Sequence, residues 1–403
     1  MSLPQFGRDF RLAMVILLCG AIIGLNIAKL APSMARLIEV FSLTISEAGI
    51  LASAFTLIAV FVGIFAGGLM AAAGARRVML TAILLAVIGS LVSLVGSSFA
   101  MLLAGRTLEG LSLISIAVAG PTLLIEHTHN ANRGWVMGIW GGFMPLGNLL
   151  GVMAGPLLLG SFDWQGVWLA STLFAGLVGF LAFWMIPADA NPPRLRFDKG
   201  AIGAALRLPV LVGIGICFGC HSLIFQVVLQ FTPFFVQQQG GSLLLGALLI
   251  AGFCLVNFFG NSESGRLIQR GFKPINLILF TFLTIPAYIV MIFLPDSPAW
   301  LMLLGLLGLA IHTGLTPPSF FYLVGQIIRQ PSQTPVFMAY MMQIQGLGML
   351  IGPAMLGWSV DRLGGWEGGF FVLGIPCLLA SVLIYGPVRG WFIRFQDNKI
   401  QTH

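Results

Sequence analysis

The sequence predicts an all-α integral membrane protein with twelve transmembrane helices in two six-helix halves related by pseudo-symmetry. Three observations predict this fold class. Hydrophobic residues make up 58% of the 403 residues and charged residues only 8%, so a water-soluble surface could not be built. Apolar segments of roughly 20 residues, long enough to cross about 30 Å of hydrocarbon as helices, recur along the chain. Several glycine, proline and basic residues of the first half also recur at a constant offset in the second half.

The internal repeat has an offset of 197 residues. The run Gly151-x-x-x-Gly155-Pro156 returns as Gly348-x-x-x-Gly352-Pro353. The same offset joins Gly68 with Gly265, Gly74 with Gly271, Arg76 with Lys273, and Pro121 with Pro318. Duplication inside an apolar chain is typical of membrane transporters, because two like halves can rock against each other around a site at their interface.

Twelve segments are predicted to span the bilayer, as helices because lipid offers no partner to an unpaired backbone amide. In chain order they are 11–34, 47–71, 77–97, 100–124, 134–158, 165–187, 208–232, 243–261, 274–294, 299–324, 336–359 and 367–388. The first span is too long for the apolar part of a cleavable signal, so we expect it to stay as an anchor.

The longest polar interruption contains Asn191-Pro192-Pro193 and four basic residues, which indicates a linker between the halves. The expected organisation is an N-terminal six-helix bundle at 1–187, a cytoplasmic linker at 188–207, a C-terminal six-helix bundle at 208–388 and a cytoplasmic tail at 389–403.

Basic residues indicate the orientation. With the N-terminus inside, 16 of the 20 lysines and arginines fall in cytoplasmic segments, and Arg36 and Arg362 fall outside. This bias predicts both termini in the cytoplasm of a cell whose plasma or inner membrane holds the protein. It also accounts for the net charge of +7 without a nucleic-acid partner.

Several motifs resemble those of the major facilitator superfamily. The segment from Gly68 to Arg77 is similar to the family's Gly-x-x-x-Asp-Arg-x-Gly-Arg-Arg loop, with alanines in place of its acid and first base. Arg106-Thr107-Leu108-Glu109-Gly110 matches its fourth-span signature, and Gly142-x8-Gly151-x3-Gly155-Pro156 matches its fifth-span signature. The resemblance covers nearly the whole chain. It implies a transporter that works as a monomer, with spans 1, 4, 7 and 10 around a central cavity.

A finer resemblance, to the cyanate and nitroimidazole permease branch, is carried by two short stretches. They are Gly138-Ile139-Trp140-Gly141-Gly142-Phe143-Met144-Pro145-Leu146-Gly147 and Leu25-Asn26. This resemblance implies uptake of a small polar, often anionic, solute.

Ionisable residues at membrane depth are the candidate site residues, because an uncompensated Lys or Arg near the bilayer centre costs roughly 2.5–3.5 kcal/mol on insertion scales. Five lie on the spans that the resemblance places around the cavity: Lys29, Arg106, Glu109, His221 and His312. Without the histidines their charges sum to +1, so an anionic substrate is expected.

In span 1, Lys29 and Asn26 stand one turn apart and suit an anion, although Lys29 could instead snorkel to the outer interface. In span 4, Arg106 and Glu109 could simply neutralise each other. They could also form a switch, in which an anion competes for Arg106 and a proton settles on Glu109.

The histidines have the side chain that changes charge most easily near neutral pH. Either His221 or His312 could bind substrate, carry the coupled proton, or sit neutral against a carbonyl. The expected substrate ligands are Asn26, Lys29, Arg106, His221 and His312, and the expected proton carriers are Glu109, His221 and His312.

The glycine-proline runs allow two interpretations. Four-residue spacing puts the glycines on one helix face, where a neighbouring backbone can approach closely, and the prolines permit a kink. The set could therefore act as a conformational hinge or serve helix packing alone: Gly151, Gly155, Pro156, Gly348, Gly352 and Pro353.

No cofactor or metal is expected. The run Cys217-x-x-Cys220-His221 has the spacing of a c-type haem site but lies inside an apolar span, and Glu126-His127-x-His129 reads as a solvated helix end. The sequence has no phosphate-binding Gly-x-x-x-x-Gly-Lys loop, which argues against ATP-driven transport, and no nucleophile with a paired base that would indicate an enzyme.

The sequence thus favours a secondary transporter that moves a small polar, anionic solute by alternating access with proton symport. The alternative is proton-antiport efflux of drugs or metabolites, which the fifth-span signature favours and for which Glu109 is the available acid. A membrane sensor or embedded enzyme finds little support, because the tails are short.

Overall fold

The computed structural model describes residues 3–56, 60, 74–129, 136, 139–140, 142–188, 207–294, 298–327, 334–366 and 368–394, and within them it contains helices and no strand. The helices are α1 (Leu3–Ala28), α2 (Leu30–Phe41), α3 (Ile45–Thr56), α4 (Ala75–Leu94), α5 (Phe99–His127), α6 (Phe143–Met185), α7 (Pro209–Gln238), α8 (Leu243–Gln269), α9 (Pro274–Phe293), α10 (Ala299–Ile327), α11 (Thr334–Leu363) and α12 (Gly368–Leu383). A π-helical turn at Ile384–Val388 extends α12.

Nine stretches of these described residues are long and apolar enough to cross a membrane. The predicted second span reaches into residues 57–59 and 61–73, which lie outside the described part of the chain, as do the Gly68–Ala73 part of the loop motif and residues 189–206 of the predicted linker. Two residues of the stretch that resembles the cyanate and nitroimidazole permeases, Gly138 and Gly141, also lie outside the described part of the chain.

The predicted first span is divided at Lys29, where α1 ends and α2 begins. Lys29 keeps near-helical backbone angles, with φ −59° and ψ −23°, and its amide still donates to Leu25 O at 2.9 Å. The chain direction therefore changes little at this residue. The break places a buried lysine between two helices and not in the middle of one.

Helix α6 begins within the fifth predicted span and runs through most of the sixth, because helical structure continues through the expected connection. The one non-helical residue inside it is Asp163, with φ 55° and ψ −168°. Only glycine adopts this conformation readily, and for other residues such backbone strain costs of order 1–3 kcal/mol. The Asp163 carboxylate accepts hydrogen bonds from Arg36 Nε at 2.9 Å and Nη2 at 2.8 Å, and from Trp164 N at 2.6 Å.

The surface of α6 carries a continuous apolar stripe. Leu173, Leu177, Phe180 and Trp184 are each at least 60% exposed and recur at helical spacing. An apolar face of this extent is unfavourable in water, and within a bilayer it contacts lipid. In the interior, by contrast, charged side chains are fully buried: Lys29, Arg106 and Glu109.

Glycines hold the first part of α6 against α1 and α2. A Cβ added at Gly151 would lie 2.7 Å from Leu25 O and 2.8 Å from Lys29 N, and one at Gly155 would lie 2.8 Å from Pro32 Cγ. Close approach of this kind is a principal source of helix association in lipid, where no hydrophobic force acts between helices. The repeat reproduces it between α7 and α11, since a Cβ at Gly348 would overlap the backbone of Gly219.

Pro156 lies inside α6 and Pro353 inside α11, and both helices continue through the proline. Gly352 packs on Leu223, whose carbonyl oxygen lies 2.9 Å from the position of an added Cβ. The glycine-proline runs therefore lie at close helix contacts, and a hinge role for them stays a prediction.

The contacts divide the chain into two compact units. The N-terminal unit comprises Met1–Phe197 and Val228–Leu255, and the C-terminal unit comprises Asp198–Val227 and Val256–His403. Part of α7 and part of α8 thus belong to each unit. The division into bundles at 1–187 and 208–388, which rests on the repeat, stays a prediction.

We expect Asp163→Ala to lower the apparent melting temperature of the detergent-purified protein more than Asp163→Gly does. Both variants lose the bond to Arg36, but only alanine keeps the strained φ, which costs of order 1–3 kcal/mol. The measurement is thermal unfolding followed by intrinsic fluorescence. Equal melting temperatures for the two variants would contradict a positive φ at this residue.

We expect Gly151→Ala to lower the melting temperature by several degrees, because the new methyl group meets backbone atoms of α1 that cannot rotate away. Gly176→Ala in the same helix is the matched control, since an added Cβ there meets no atom within 4 Å. Alanine favours a helix by up to about 1 kcal/mol over glycine, so the control should be neutral or more stable. A stable Gly151→Ala protein would contradict the close contact.

Candidate functional site

The candidate site is a buried charged cluster in the N-terminal unit, formed by Lys29, Arg106 and Glu109 with Asn26 and Ser90. Three elements bring it together: the α1–α2 break supplies Lys29, α4 supplies Ser90, and α5 supplies Arg106 and Glu109. The three charged side chains have no solvent exposure. Buried charges in an apolar medium persist only when they are paired, and the three charges form two ion pairs that share the Glu109 carboxylate.

Lys29 uses all three of its ammonium protons within the cluster. Its Nζ donates to Glu109 Oε1 at 2.6 Å, to Asn26 Oδ1 at 2.8 Å and to Ser90 Oγ at 2.9 Å. The ammonium also lies 4.9 Å from the centre of the Trp168 ring, a cation–π contact. Lys29 therefore points into the interior of its unit and does not snorkel to an interface.

Glu109 bridges the two cations. Its Oε1 accepts from Lys29 and from Ser90 Oγ, the latter at 2.7 Å, and its Oε2 accepts from Arg106 Nη1 at 2.8 Å. The pairing at i, i+3 that the sequence suggested for Arg106 and Glu109 is thus one part of a larger arrangement. One carboxylate serves two positive charges, which leaves the cluster with a formal charge of +1.

Arg106 is only partly satisfied. Its Nη1 donates to Glu109 and to the carbonyl oxygen of Asn26, while its guanidinium carbon lies 5.0 Å from the centre of the Phe55 ring. Its Nε and Nη2 atoms are buried and have no hydrogen-bond partner among the described residues. Together these two nitrogens form the guanidinium edge that binds carboxylate-like anions in a bidentate manner.

Close packing of α4 on α5 sets the position of Glu109. A Cβ added at Gly89 would lie 2.7 Å from Glu109 N and 2.9 Å from Glu109 Cγ. Because Ser90 follows Gly89 directly, the contact also brings its hydroxyl to the carboxylate. Further buried polar atoms of the N-terminal unit lack a partner within the described structure: Asn148 Oδ1 and Nδ2, Ser93 Oγ and Trp168 Nε1.

Gln230 of α7, whose final part belongs to the N-terminal unit, contacts the end of α1. Its Nε2 donates to Ile27 O at 2.6 Å, in the last turn of α1. The contact satisfies that carbonyl two residues before Lys29.

His221 lies in the C-terminal unit, 5% exposed, with Nδ1 2.8 Å from Thr316 Oγ1. Thr316 Oγ1 also donates to Thr313 O at 2.8 Å. The imidazole stacks near the rings of Phe218 and Phe225. Cys217 and Cys220, which share its motif, are buried free thiols in α7.

His312 lies between α10 and α9. Its Nδ1 is 2.8 Å from Thr284 Oγ1, and its ring is 4.9 Å from that of Phe280, which is 53% exposed. His221 and His312 therefore bond to threonines of different helices. The described hydrogen bonds do not join the two histidines to each other.

Sequence reasoning found the four residues of the cluster on α1 and α5 but missed Ser90 of α4, Trp168 of α6 and Phe55 of α3. A serine beside a glycine in an apolar span is a weak signal, since serines commonly bond to their own helix. Contacts 61 and 80 residues apart in the chain connect Lys29 to Ser90 and to Glu109. No local pattern encodes such distances.

Comparison with known proteins tests the family resemblance independently of the motifs. Residues 16–342 match the family model described as Major Facilitator Superfamily. The inner membrane transport protein YnfM of Escherichia coli is 30% identical over 263 residues, covering 61% of this chain and 60% of that protein. The methylenomycin A resistance protein of Bacillus subtilis is 23% identical over 262 residues, covering 60% and 53%. The chain thus aligns with about half to three fifths of the length of these two relatives.

Solved structures share the fold over nearly the whole chain. A D-xylose-proton symporter aligns with a TM-score of 0.74 at 16% identity, covering 94% of this chain and 97% of that one. The inward-open xylose transporter XylE of E. coli aligns with a TM-score of 0.77 at 14% identity, covering 94% and 96%. The predicted twelve-helix fold and the predicted family resemblance are therefore confirmed, while the finer resemblance to cyanate permeases stays a prediction.

We expect Glu109→Gln to destabilise the protein far more than Lys29→Met. Glu109→Gln leaves two buried cations without a counter-charge, and breaking a buried pair in this way typically costs about 3–5 kcal/mol. Lys29→Met leaves the Arg106–Glu109 pair intact and removes only one charge. Apparent melting temperatures of detergent-purified variants measure the difference.

The double variant Lys29→Met/Glu109→Gln serves as the control for that comparison. It leaves one unpaired cation in place of two, so its melting temperature should lie above that of Glu109→Gln alone. The reverse order would contradict a shared carboxylate.

Proposed function

Because the chain belongs to the Major Facilitator Superfamily, whose members are multi-pass membrane transporters and not enzymes, we propose that it is a proton-coupled secondary transporter for a small polar anion. The observation that carries the proposal is the charged cluster. Three ionised groups with a net charge of +1 lie buried together, and the Nε–Nη2 edge of Arg106 has no partner among the described residues. Buried donors without partners are rare in native structures, which supports a ligand for them.

Arg106 is the proposed direct ligand of the anion. A planar guanidinium edge accepts two oxygens of a carboxylate or a similar anion with two parallel hydrogen bonds. Lys29 and Asn26, also expected to bind substrate, are engaged with each other and with Glu109. They become available to an anion only when Glu109 releases Lys29.

Protonation of Glu109 is the proposed coupling step. A neutral carboxylic acid holds Lys29 and Arg106 less strongly than a carboxylate does, and its protonation raises the formal charge of the cluster by one. A monovalent anion restores the earlier charge. Proton and anion therefore favour each other's binding, which is the thermodynamic basis of symport. A symporter among the structural neighbours supports this direction of coupling. His221 and His312 are the alternative proton carriers.

Proton-antiport efflux is the second candidate, and the similarity to a methylenomycin A resistance protein favours it. The charged cluster disfavours a cationic substrate, because its net positive charge repels cations. Proton-dependent extrusion of a lipophilic cation such as ethidium from cells that express the protein would support efflux.

The proposed location is a plasma or inner membrane with both termini in the cytoplasm, and the proposed active form is a monomer. The bias of basic residues supports the orientation, and the relative YnfM carries the description of an inner membrane protein.

A C-terminal fluorescent-protein fusion should be bright, whereas a C-terminal alkaline phosphatase fusion should be inactive.

We expect an inward acid gradient to stimulate uptake of at least one of formate, acetate, lactate, cyanate and nitrate into proteoliposomes. Arg106→Gln should abolish that uptake, and Arg106→Lys should restore little of it because lysine lacks the two-pronged edge. Glu109→Gln should allow anion exchange without stimulation by the gradient.

Arg362→Gln is the matched control, because it removes an arginine at the exposed end of α11. It should transport normally. Normal uptake of every transported anion by Arg106→Gln, inserted and folded as the wild type is, would overturn the assignment.

A further inference from the structure

A second basic site lies where the beginning of α1 meets the end of α6. Arg8 and Arg11 line a cavity of about 220 Å³ whose other walls are Leu12, Met185 and Pro187. We propose that this cavity binds the phosphate headgroup of an anionic glycerophospholipid, such as phosphatidylglycerol or cardiolipin. The site is separate from the charged cluster and does not depend on the transported solute.

The charge of the cavity fits a phosphate. Arg8 and Arg11 are both exposed and stand three residues apart, so their guanidinium groups share one face of α1. Among the described residues no carboxylate lies within ion-pair distance of either arginine. Asp9, between them in sequence, is 4% exposed and accepts a hydrogen bond from His129 N at 3.3 Å. It is not among the residues that line the cavity.

The apolar part of the cavity wall fits a lipid better than a free ion. Besides the two arginines, the wall consists of Leu12, Met185 and Pro187, and the side chains next in sequence, Phe10 and Trp184, are 42% and 72% exposed. Exposed aromatic rings at a helix end are typical of the level of lipid headgroups. The apolar stripe of α6, which includes Leu173 and Leu177, continues from this end and offers a surface to an acyl chain.

The end of α6 is basic beyond these two residues. Arg76 donates through Nη2 to Phe183 O at 2.7 Å and lies 5.3 Å from the Phe183 ring. It thereby satisfies a carbonyl in the last turn of the helix, where a cation is favoured. Basic pockets between transmembrane helices at the cytoplasmic surface are known to accommodate anionic headgroups.

The test is native mass spectrometry of the full-length protein released from detergent with phosphatidylglycerol, cardiolipin or phosphatidylcholine. The wild type should retain the anionic lipids in preference to phosphatidylcholine. Arg8→Gln/Arg11→Gln should reduce that retention about tenfold or more, and Arg8→Lys/Arg11→Lys should restore most of it. The matched control, Arg270→Gln/Lys273→Gln, removes the same charge from the α8–α9 connection and should retain lipid as the wild type does.

Thermal unfolding distinguishes a lipid from a free anion. Phosphatidylglycerol should raise the melting temperature of the wild type but not that of Arg8→Gln/Arg11→Gln, and inorganic phosphate at millimolar concentration should raise neither. Two outcomes would overturn the proposal: equal lipid retention by the wild type and the glutamine variant, or an equal shift with inorganic phosphate. Because Arg8 and Arg11 are exposed, the glutamine variant should fold, and its elution on gel filtration checks this.

Discussion

A single carboxylate shared by two cations is the interaction on which the N-terminal unit depends. Each ion of the charged cluster carries a desolvation penalty of several kcal/mol when it is removed from water. Attraction between opposite charges offsets that penalty only with short contacts and satisfied donors and acceptors. The protons of Lys29 and the carboxylate oxygens of Glu109 meet both conditions. Arg106 has two nitrogen donors without a hydrogen-bond partner among the described residues, so the unsatisfied donors of the three charged side chains lie on a single side chain.

Helix packing enforces this arrangement. Gly89 brings α4 onto α5 beside Glu109, and Gly151 brings α6 onto α1 beside Lys29. Any larger residue at these positions would hold the helices apart and lengthen the ionic contacts. The glycines therefore serve more than helix packing. The short distances between the charged groups of the cluster exist only if the helix backbones approach closely at these glycines.

The same physical rule explains the periphery. Apolar residues on α6 face lipid, and the charges that remain outside the interior collect at helix ends, where water and headgroups can solvate them. Arg36 pairs with Asp163, the non-helical residue midway along α6, and holds this strained residue in place. At the C-terminal end of α6, Arg8 and Arg11 have no acidic partner among the described residues, which leaves them suited to a negatively charged headgroup.

The sequence alone determined the fold class and the family resemblance, because hydropathy, repeats and the cost of charge in lipid are local or compositional properties. It also singled out Asn26, Lys29, Arg106 and Glu109 as residues of interest. Only the tertiary structure decided which donors are engaged: Lys29 turns toward Ser90, Trp168 and Glu109, and the free edge belongs to Arg106. It likewise gave His221 and His312 separate threonine partners. These outcomes depend on the rotation and spacing of helices distant in sequence, and those are set by side-chain packing between helices and not by the periodicity of any one of them.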